Sequence, residues 1–176
     1  VDIRSTRDMV REALFNIIGE RVPEAWFLDL FCAGGAVGIE ALSRGAERVV
    51  FVDREKECIE TAEKNVALLG AHTEEKAVFF HQDAFRFIKG VKKYEMVFDI
   101  IFLDPPYYRE LARKCLKKLI DADILKNSGL IIVEHYKKDD IPLEYAGWRC
   151  TDCRRYGDTH LSFFEKKAES MEKEIL

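Results

Sequence analysis

The segment from Asp99 to Tyr108, read as D-I-I-F-L-D-P-P-Y-Y, constrains the fold of this chain more than any other segment. It lies in and after a nearly continuous apolar run, Val97 to Leu103, which is typical of a strand buried on both faces of a parallel sheet. Asp104 precedes two prolines, which fix φ and hold the residue before them in an extended conformation. A carboxylate and an aromatic ring therefore follow the carboxyl end of a strand, where open α/β sheets bind ligands. This segment could hold a planar ring that carries an amino group, and the alternative is a tight turn that only ends the strand.

A second apolar run, Trp26 to Phe31, leads into a glycine-rich turn, Cys32 to Gly38, and a helical segment follows from Ile39 to Ser43. Strand, glycine-rich turn and helix are the parts of a nucleotide-binding unit. Glycines let the backbone approach a ligand, and the free N–H groups at a helix start favour a polar or anionic group. The turn reads A-x-G-x-x-G, with Ala33 in place of the usual first glycine. The alternative is a turn with a structural role alone.

Asp53 follows the next predicted strand, Arg48 to Val52, and lies eighteen residues after Gly35. An acid at the end of the second strand of such a unit is placed to accept hydrogen bonds from ribose hydroxyls. The same carboxylate could also cap the helix predicted from Glu55 to Leu69.

Asp83 follows a third predicted strand, Ala77 to His81, and therefore lies at the same edge of the sheet. A carboxylate there could accept a hydrogen bond from an adenine amino group, with Ala84 and Phe85 beside the ring. The alternative is an aspartate that caps a helix, with Phe85 packed in the core.

The remaining segments continue an alternation of strands and helices, which is typical of an α/β fold with a parallel sheet. A fifth buried strand, Leu130 to Val133, ends at Glu134 and His135, at the same carboxyl edge. Further predictions are an amphipathic helix from Ser5 to about Gly19, polar turns at 73–76 and 125–129, a basic helix at 110–119, an antiparallel hairpin with strands at 148–153 and 160–164 joined by 154–158, and a charged tail from 167 to 176.

Composition limits the classes of protein to consider. The 176 residues fit one domain, expected at 1–166, and no apolar run is long enough to span a membrane. A net charge of −4 argues against indiscriminate nucleic-acid binding but allows a local basic face. Five cysteines without a framework spacing, and no signal-peptide pattern, predict a cytoplasmic protein. Cys150 and Cys153 form the only close pair, and zinc needs about four ligands, so we expect no metal.

Taken together, these motifs resemble the class I methyltransferases that use S-adenosylmethionine. More narrowly, the chain resembles the RsmD-type family, whose members methylate the exocyclic N2 of a guanine in bacterial small-subunit (16S) ribosomal RNA. The resemblance extends from Arg4 to Phe164 and rests on R-S-T-R-D-M-V-R-E-A-L-F-N, D-L-F-C-A-G-G-A-V-G-I-E-A-L-S-R-G-A, D-I-I-F-L-D-P-P-Y and R-R-Y-G-D-T-H-L-S-F-F. Ser5 replaces the usual proline of R-P-T, and C-A-G replaces the usual A-G-S, so the methyl of Ala33 would crowd the methionine portion of the cofactor. The family usually carries a short basic β-hairpin before the position of Arg4, which we expect to add RNA affinity.

The resemblance implies a Rossmann-like fold: a seven-stranded, mostly parallel sheet with an antiparallel C-terminal strand and helices on both faces. It also implies that the Asp104 carboxylate and the Pro105 carbonyl accept hydrogen bonds from the target amine, while Tyr107 stacks on the base; Pro106 completes this catalytic segment. The expected cofactor contacts are Asp29, Phe31, Ala33, Gly35, Gly38, Asp53, Arg54, Asp83, Ala84 and Asp104.

Ribosomal RNA, or the small ribosomal subunit during assembly, is the expected partner, and we expect a monomer. Residues 1–20 would form a lid or an RNA-contacting helix, and the alternative is a solvated helix face. The candidate phosphate contacts are Arg7, Arg11, Arg109, Lys137, Arg154 and Arg155.

Three other functions remain open at this point. An N6-adenine DNA methyltransferase also uses D-P-P-Y, but it normally needs a separate target-recognition region. A protein glutamine methyltransferase usually has Asn in place of Asp104. A non-catalytic RNA-binding or ribosome-assembly module would have kept the fold and lost turnover through the altered glycine turn.

Overall fold

The computed structural model describes residues 6–107 and 110–168. Within them, the helices are α1 (Thr6–Ile18), α2 (Ala36–Ser43), α3 (Lys56–Ala67), α4 (Ala71–Glu74), α5 (Ala84–Gly90) and α6 (Leu111–Ala122), with short 3-10 turns at Gly19–Arg21 and Val91–Tyr94. The strands are β1 (Trp26–Leu30), β2 (Arg48–Asp53), β3 (Ala77–His81), β4 (Phe98–Leu103), β5 (Leu125–Tyr136), β6 (Glu144–Tyr145), β7 (Trp148–Tyr156) and β8 (Thr159–Lys166).

All of these strands belong to one sheet, in the order β3-β2-β1-β4-β5-β8-β7-β6. The first five strands of that order are parallel, and β8, β7 and β6 add to them in antiparallel pairings. The predicted α/β class, with its mostly parallel sheet and antiparallel C-terminal end, is confirmed. The strand order reverses direction between β1 and β4, and this is the point at which open α/β sheets form a ligand crevice.

Helices cover both faces of the sheet because the side chains of each central strand alternate between two cores. On one face, residues such as Phe27 and Phe51 pack with α1, α2 and α3. On the other face, their neighbours Leu28 and Val52 pack with α5 and α6. Each central strand is thus buried on both sides, which explains the near-continuous apolar runs of the sequence.

Three local predictions differ from the structure. Within the described residues the sheet has eight strands and not seven, because Glu144–Tyr145 pairs with β7 across a tight turn in which Ala146 and Gly147 both have positive φ. Residues 125–129, predicted as a turn, lie within β5, whose pairing with β4 shifts register between Phe98 and Ile100. Part of the polar segment predicted at 73–76 lies in the single turn of α4.

The C-terminal hairpin is confirmed, but its connection is shorter than predicted. β7 continues to Tyr156 and β8 begins at Thr159, so only Gly157 and Asp158 join the two strands. Arg154 and Arg155 therefore lie on β7 and not in a loop. The charged tail from 169 onward and the predicted capping residue Ser5 lie outside the described residues. None of the helices in the described part of the chain has the length and apolar character needed to cross a bilayer.

Candidate active site

A cavity of about 620 Å³ opens at the carboxyl edge of the sheet, beside the point where the strand order reverses. Its size lies within the usual range for small-molecule sites, roughly 300–1,000 Å³. The residues that line it come from α1, from the turns after β1, β2 and β3 with the adjoining parts of those strands and of the helices that follow them, from the end of β4 and the D-P-P-Y segment, from the start of α6 and from β5. They are Arg7, Val10, Arg11, Leu14, Asp29, Phe31, Cys32, Ala33, Gly34, Ala36, Val37, Asp53, Arg54, Glu55, Cys58, Asp83, Phe85, Phe102, Asp104, Pro105, Pro106, Tyr107, Leu111 and Glu134.

The glycine-rich turn forms one wall of the cavity and has an unusual backbone. Phe31 (φ 67°) and Ala33 (φ 48°) have positive φ although neither is a glycine, and Gly35 follows with φ 81°. Such conformations are strained for residues with a side chain, and they cluster at functional sites. The turn is held by a hydrogen bond from the Gly35 N–H to the Cys32 carbonyl (2.7 Å) and by one from Asn65 Nδ2 to the Gly34 carbonyl (3.0 Å).

Asp29 supports this turn from within the sheet. Its side chain is buried, and its Oδ2 accepts a hydrogen bond of 2.8 Å from the backbone N–H of Gly38. Burial raises the pKa of Asp29 to about 7, the Gly38 hydrogen bond opposes the rise, and the nearby carboxylates Asp104 and Asp53 add to it. The carboxyl group thus fixes the start of α2 and faces the cavity.

Gly38 is required for packing. A Cβ atom there would lie 2.3 Å from Cε1 of Phe51 and 2.9 Å from Cγ1 of Val49, both of which are buried in β2. Three of the ten predicted cofactor contacts, Gly35, Gly38 and Ala84, do not line the cavity. The turn glycine exposed to the cavity is Gly34, which the prediction did not include.

Asp53 ties the turn after β1 to the turn after β2. Its Oδ2 accepts from the N–H of Ala33 (2.9 Å), and its Oδ1 accepts from the N–H of Glu55 (2.9 Å). Each carboxylate oxygen can accept more than one hydrogen bond, so both can still bind a ligand hydroxyl. Arg54, also predicted at the site, lines the cavity next to Asp53.

Asp83 has two roles, since it lines the cavity and also caps α5. Its Oδ1 accepts hydrogen bonds from the N–H groups of Phe85 (3.0 Å) and Arg86 (3.1 Å), as the capping alternative requires. Phe85 lies on the cavity wall, whereas Ala84 is buried in the core and does not reach it.

The D-P-P-Y segment forms the opposite wall, and all four of its residues line the cavity. The N–H of Asp104 lies 3.4 Å from the carbonyl oxygen of Leu30, which holds the segment against β1. Burial raises the pKa of Asp104 to about 6, and the positive charge of Arg7 opposes that rise. Tyr107 is 40% exposed, and its hydroxyl lies 3.2 Å from Oγ1 of Thr159 on β8, so the C-terminal hairpin positions the ring.

Glu134 is a cavity residue for which the sequence predicted no role. It lies in β5 and lines the cavity together with Asp104. Burial raises its pKa to about 8, repulsion from Asp104 adds to the rise, and Arg7 opposes it. The only signal in the sequence was its position directly after a buried apolar run.

The predicted phosphate contacts lie in different settings. Arg7 and Arg11 of α1 line the cavity, and Arg109 lies outside the described residues. Arg155 is exposed on β7, while intramolecular ion pairs join Arg11 to Asp8 (3.1 Å), Lys137 to Asp158 (2.6 Å) and Arg154 to Asp152 (2.7 Å). Such surface pairs contribute at most about 1 kcal/mol, so a phosphate group could replace the carboxylate partner.

The chain is similar to several known proteins along most of its length. The family model described as Conserved hypothetical protein 95 matches residues 1–165. YlbH of Bacillus subtilis (strain 168), provisionally named an rRNA methyltransferase, is 38% identical over 165 residues, which cover 93% of this chain and 88% of that protein. The Haemophilus influenzae protein named Ribosomal RNA small subunit methyltransferase D is 36% identical over 141 residues, covering 80% of this chain and 71% of its own. Among solved structures, yhhF of Escherichia coli superimposes with a TM-score of 0.81 at 30% identity, covering 94% of this chain and 88% of its own.

Proposed function

Given that this chain belongs to the RsmD-type family, described as Conserved hypothetical protein 95, we propose that it transfers a methyl group from S-adenosylmethionine to the exocyclic N2 of a guanine in small-subunit ribosomal RNA. The relatives at 30% identity or more that are named as acting on small-subunit ribosomal RNA support the class of substrate. The choice of guanine and of its N2 rests on the resemblance to the RsmD-type family, and the choice of cofactor rests on that resemblance and on the residues of the site.

The observation that carries the proposal is that two different binding surfaces share one cavity. The glycine-rich turn and the carboxylates Asp53 and Asp83 lie on one side, and the D-P-P-Y segment lies on the other. The first surface suits a nucleoside and the second suits a planar amine. One cavity with both surfaces brings a nucleoside-linked donor next to an amine acceptor, which is the arrangement that group transfer requires.

The residues of the first surface fit S-adenosylmethionine. Asp53 keeps acceptor positions for ribose hydroxyls, as described above, and Phe85 offers an apolar side for an adenine ring. Asp29 and Asp104 line the same cavity, and carboxyl groups there favour a ligand that carries positive charge. A sulfonium ion carries such a charge. When bound, S-adenosylmethionine supplies an electrophilic methyl group.

The second surface would prepare the acceptor. The lone pair of the guanine N2 is delocalised into the ring, so the amine is a poor nucleophile. Hydrogen bonds from the NH2 group to the Asp104 carboxylate and the Pro105 carbonyl would turn the nitrogen toward tetrahedral geometry, and Tyr107 would stack on the base. Pro106 keeps the segment stiff, so the contribution of these residues is mainly positioning and electrostatics. After transfer the nitrogen loses one proton, to Asp104 or to water.

The RNA must present an unpaired base to this cavity. Because the D-P-P-Y segment lies within the cavity wall, the target guanine has to leave any helical stack to reach it. The basic residues Arg7, Arg11, Lys137, Arg154 and Arg155 would then contact phosphates on either side of the base.

The experiment is methyl transfer from labelled S-adenosylmethionine to unmodified small-subunit particles, to their naked RNA and to DNA, followed by mass spectrometry of the nucleosides. We expect N2-methylguanosine in the RNA samples alone. Asp104→Ala should lower kcat/KM at least about 100-fold. Asp140→Ala, which removes an exposed carboxylate paired with Arg113 outside the cavity, is the matched control and should keep wild-type turnover.

Other outcomes would favour the other functions. N6-methyladenine in DNA would indicate a DNA methyltransferase. Binding of S-adenosylmethionine without transfer to any of the substrates would favour a non-catalytic module. Normal turnover by Asp104→Ala would refute the mechanism given above.

A further inference from the structure

Asp104 follows the last residue of β4, and Glu134 lies at the same level in the neighbouring parallel strand β5. Leu103 of β4 pairs with Val133 of β5, and the next residue after each of these two is one of the acids. Neighbouring strands are about 4.8 Å apart, and both side chains line the cavity. The mechanism proposed above uses Asp104 and assigns nothing to Glu134.

The sheet positions Glu134 through its own pairing with β8 and through the pairing of the preceding residue with β4. Its backbone lies between β4, paired at Val133, and β8, where it pairs with Leu161. Glu134 also interacts electrostatically with Arg7 and Tyr107. Arg7 of α1 lowers the pKa of Glu134, and Glu134 raises the pKa of Tyr107. Glu134 therefore lies among the groups that surround the position of the target amine.

The amino-bearing bases differ in the ring atom next to the amine. In guanine, the carbon that carries N2 lies between N3, which has a lone pair, and N1, which bears a hydrogen and donates on that side of the amine. In adenine and cytosine, the carbon that carries the amine is bonded to a ring nitrogen with a lone pair, which only accepts. A carboxylate beside the amine position can therefore accept from guanine, whereas it faces a lone pair in the other two bases.

We propose that Glu134 is the residue that selects guanine: its carboxylate accepts the N1–H of the base whose N2 amine is held by Asp104. This assignment rests on the proposed function and adds to it the group that reads the identity of the base. A wrong base would leave this half-buried carboxylate without a donor and place a lone pair against it. Hydrogen-bonding sites discriminate strongly against such a mismatch.

The test compares guanine with 2-aminopurine at the modified position. 2-Aminopurine keeps the amine on the same carbon, but its N1 has a lone pair and no hydrogen. The substrate is small-subunit RNA in which the guanine located by the nucleoside mapping has been replaced by splinted ligation. Transfer is measured at pH 8.5, above the pKa of about 8 that burial gives Glu134, so that its ionised form is favoured. We expect the wild-type protein to prefer guanine in kcat/KM by at least about 100-fold.

Glu134→Gln should reduce that preference to less than about 10-fold, because a glutamine amide can either accept from guanine or donate to 2-aminopurine. Glu144→Gln is the matched control, since Glu144 pairs with Lys167 away from the cavity, and it should keep the wild-type preference. Thermal unfolding and binding of S-adenosylmethionine confirm that Glu134→Gln is folded.

The comparison of guanine with 2-aminopurine in the wild-type protein tests the role of Glu134 even if the variant does not fold. Equal transfer to guanine and 2-aminopurine by the wild-type protein, or the same preference in Glu134→Gln as in wild type, would overturn the role of Glu134 and leave methyl transfer to guanine in place. A failure of the proposed function looks different, because the wild-type protein would then transfer no methyl group to guanine in any RNA.

Discussion

Replacing Asp29 by asparagine should change how the stability of the free protein depends on pH. Asp29 is 2% exposed, and burial raises its pKa from an ordinary value of 3.8 to about 7. The folded chain therefore binds the Asp29 proton more tightly than the unfolded chain does. The stabilisation from this proton is complete below the unfolded pKa, decreases as the pH rises, and is lost above the folded pKa.

The size of the effect follows from the two pKa values. A difference of one pKa unit corresponds to about 1.4 kcal/mol, so a shift from 3.8 to about 7 is worth about 4 kcal/mol between the acid and alkaline limits. About 2–3 kcal/mol of this falls between pH 5 and pH 8. Asparagine has no proton to lose, and its amide oxygen can still accept from the N–H of Gly38. Any cost of its NH2 group is the same at every pH.

The assay is urea unfolding of wild type and Asp29→Asn at several values between pH 5 and pH 8, followed by circular dichroism. The free energy of unfolding of Asp29→Asn should gain about 2–3 kcal/mol relative to wild type across this range. Asp140→Asn, an exposed site, is the control and should follow the wild-type profile. A difference between Asp29→Asn and wild type that stays constant within about 0.5 kcal/mol across the range would refute the reasoning.

Substitutions at three further positions, Gly38, Tyr107 and Asp83, test the packing behind the cavity and two of its walls. Gly38→Ala should lower the free energy of unfolding, measured in urea, by about 2 kcal/mol, because overpacking against buried β2 outweighs the better helix propensity of alanine. In the control Gly34→Ala, the added Cβ would lie 3.5 Å from Thr61, so its free energy of unfolding should stay within about 1 kcal/mol of wild type. Equal losses in the two variants would contradict the packing role of Gly38. Tyr107→Phe keeps the ring and loses only the hydrogen bond between the hydroxyl group and β8, so the rate of methyl transfer should stay within about tenfold of wild type. Tyr107→Ala removes the ring, and its rate of methyl transfer should fall at least about 100-fold. Equal rates for the two variants would argue against stacking of the ring on the base. Asp83→Asn keeps a capping oxygen for α5, so the free energy of unfolding should stay within about 0.5 kcal/mol of wild type. The variant loses the carboxylate, so calorimetry should show weaker binding of S-adenosylmethionine. Unchanged binding would remove Asp83 from the cofactor site.

Most of the fold was predictable because its signals are local. Buried parallel strands produce apolar runs, and each run ends where a charged or turn-forming residue begins. β6 was not predicted because its two residues form no pattern of their own, and its pairing depends on the turn at Ala146 and Gly147. The extension of β5 was also missed. There, Asp99 accepts from the N–H of Trp26 (2.9 Å) and pairs with Lys126 (2.8 Å), and these contacts are distant in sequence.

The site was predictable in position but less so in detail. Any residue that ends a parallel strand lies at the carboxyl edge, and for this reason Asp53, Asp83 and Asp104 meet at one cavity. Which side of a turn faces the ligand is decided by backbone dihedrals, and a pattern of glycines does not report them. Gly38 therefore matched a nucleotide-binding pattern while its role in the structure is to admit Phe51.

The raised pKa values of Asp29, Asp104 and Glu134 have a common origin. Asp29 lies in β1, Asp104 directly follows β4 and Glu134 lies in β5, and these three strands are adjacent in the sheet. Burial raises all three pKa values, and repulsion from Asp104 adds to the rise at Asp29 and at Glu134. Such a row of acids reduces the stability of the free protein at neutral pH, and a cationic ligand offsets that loss. A methyl donor with a positive sulfur meets this requirement, whereas the neutral thioether that remains after transfer does not. The electrostatics of the cavity would therefore favour binding of the donor over retention of the product.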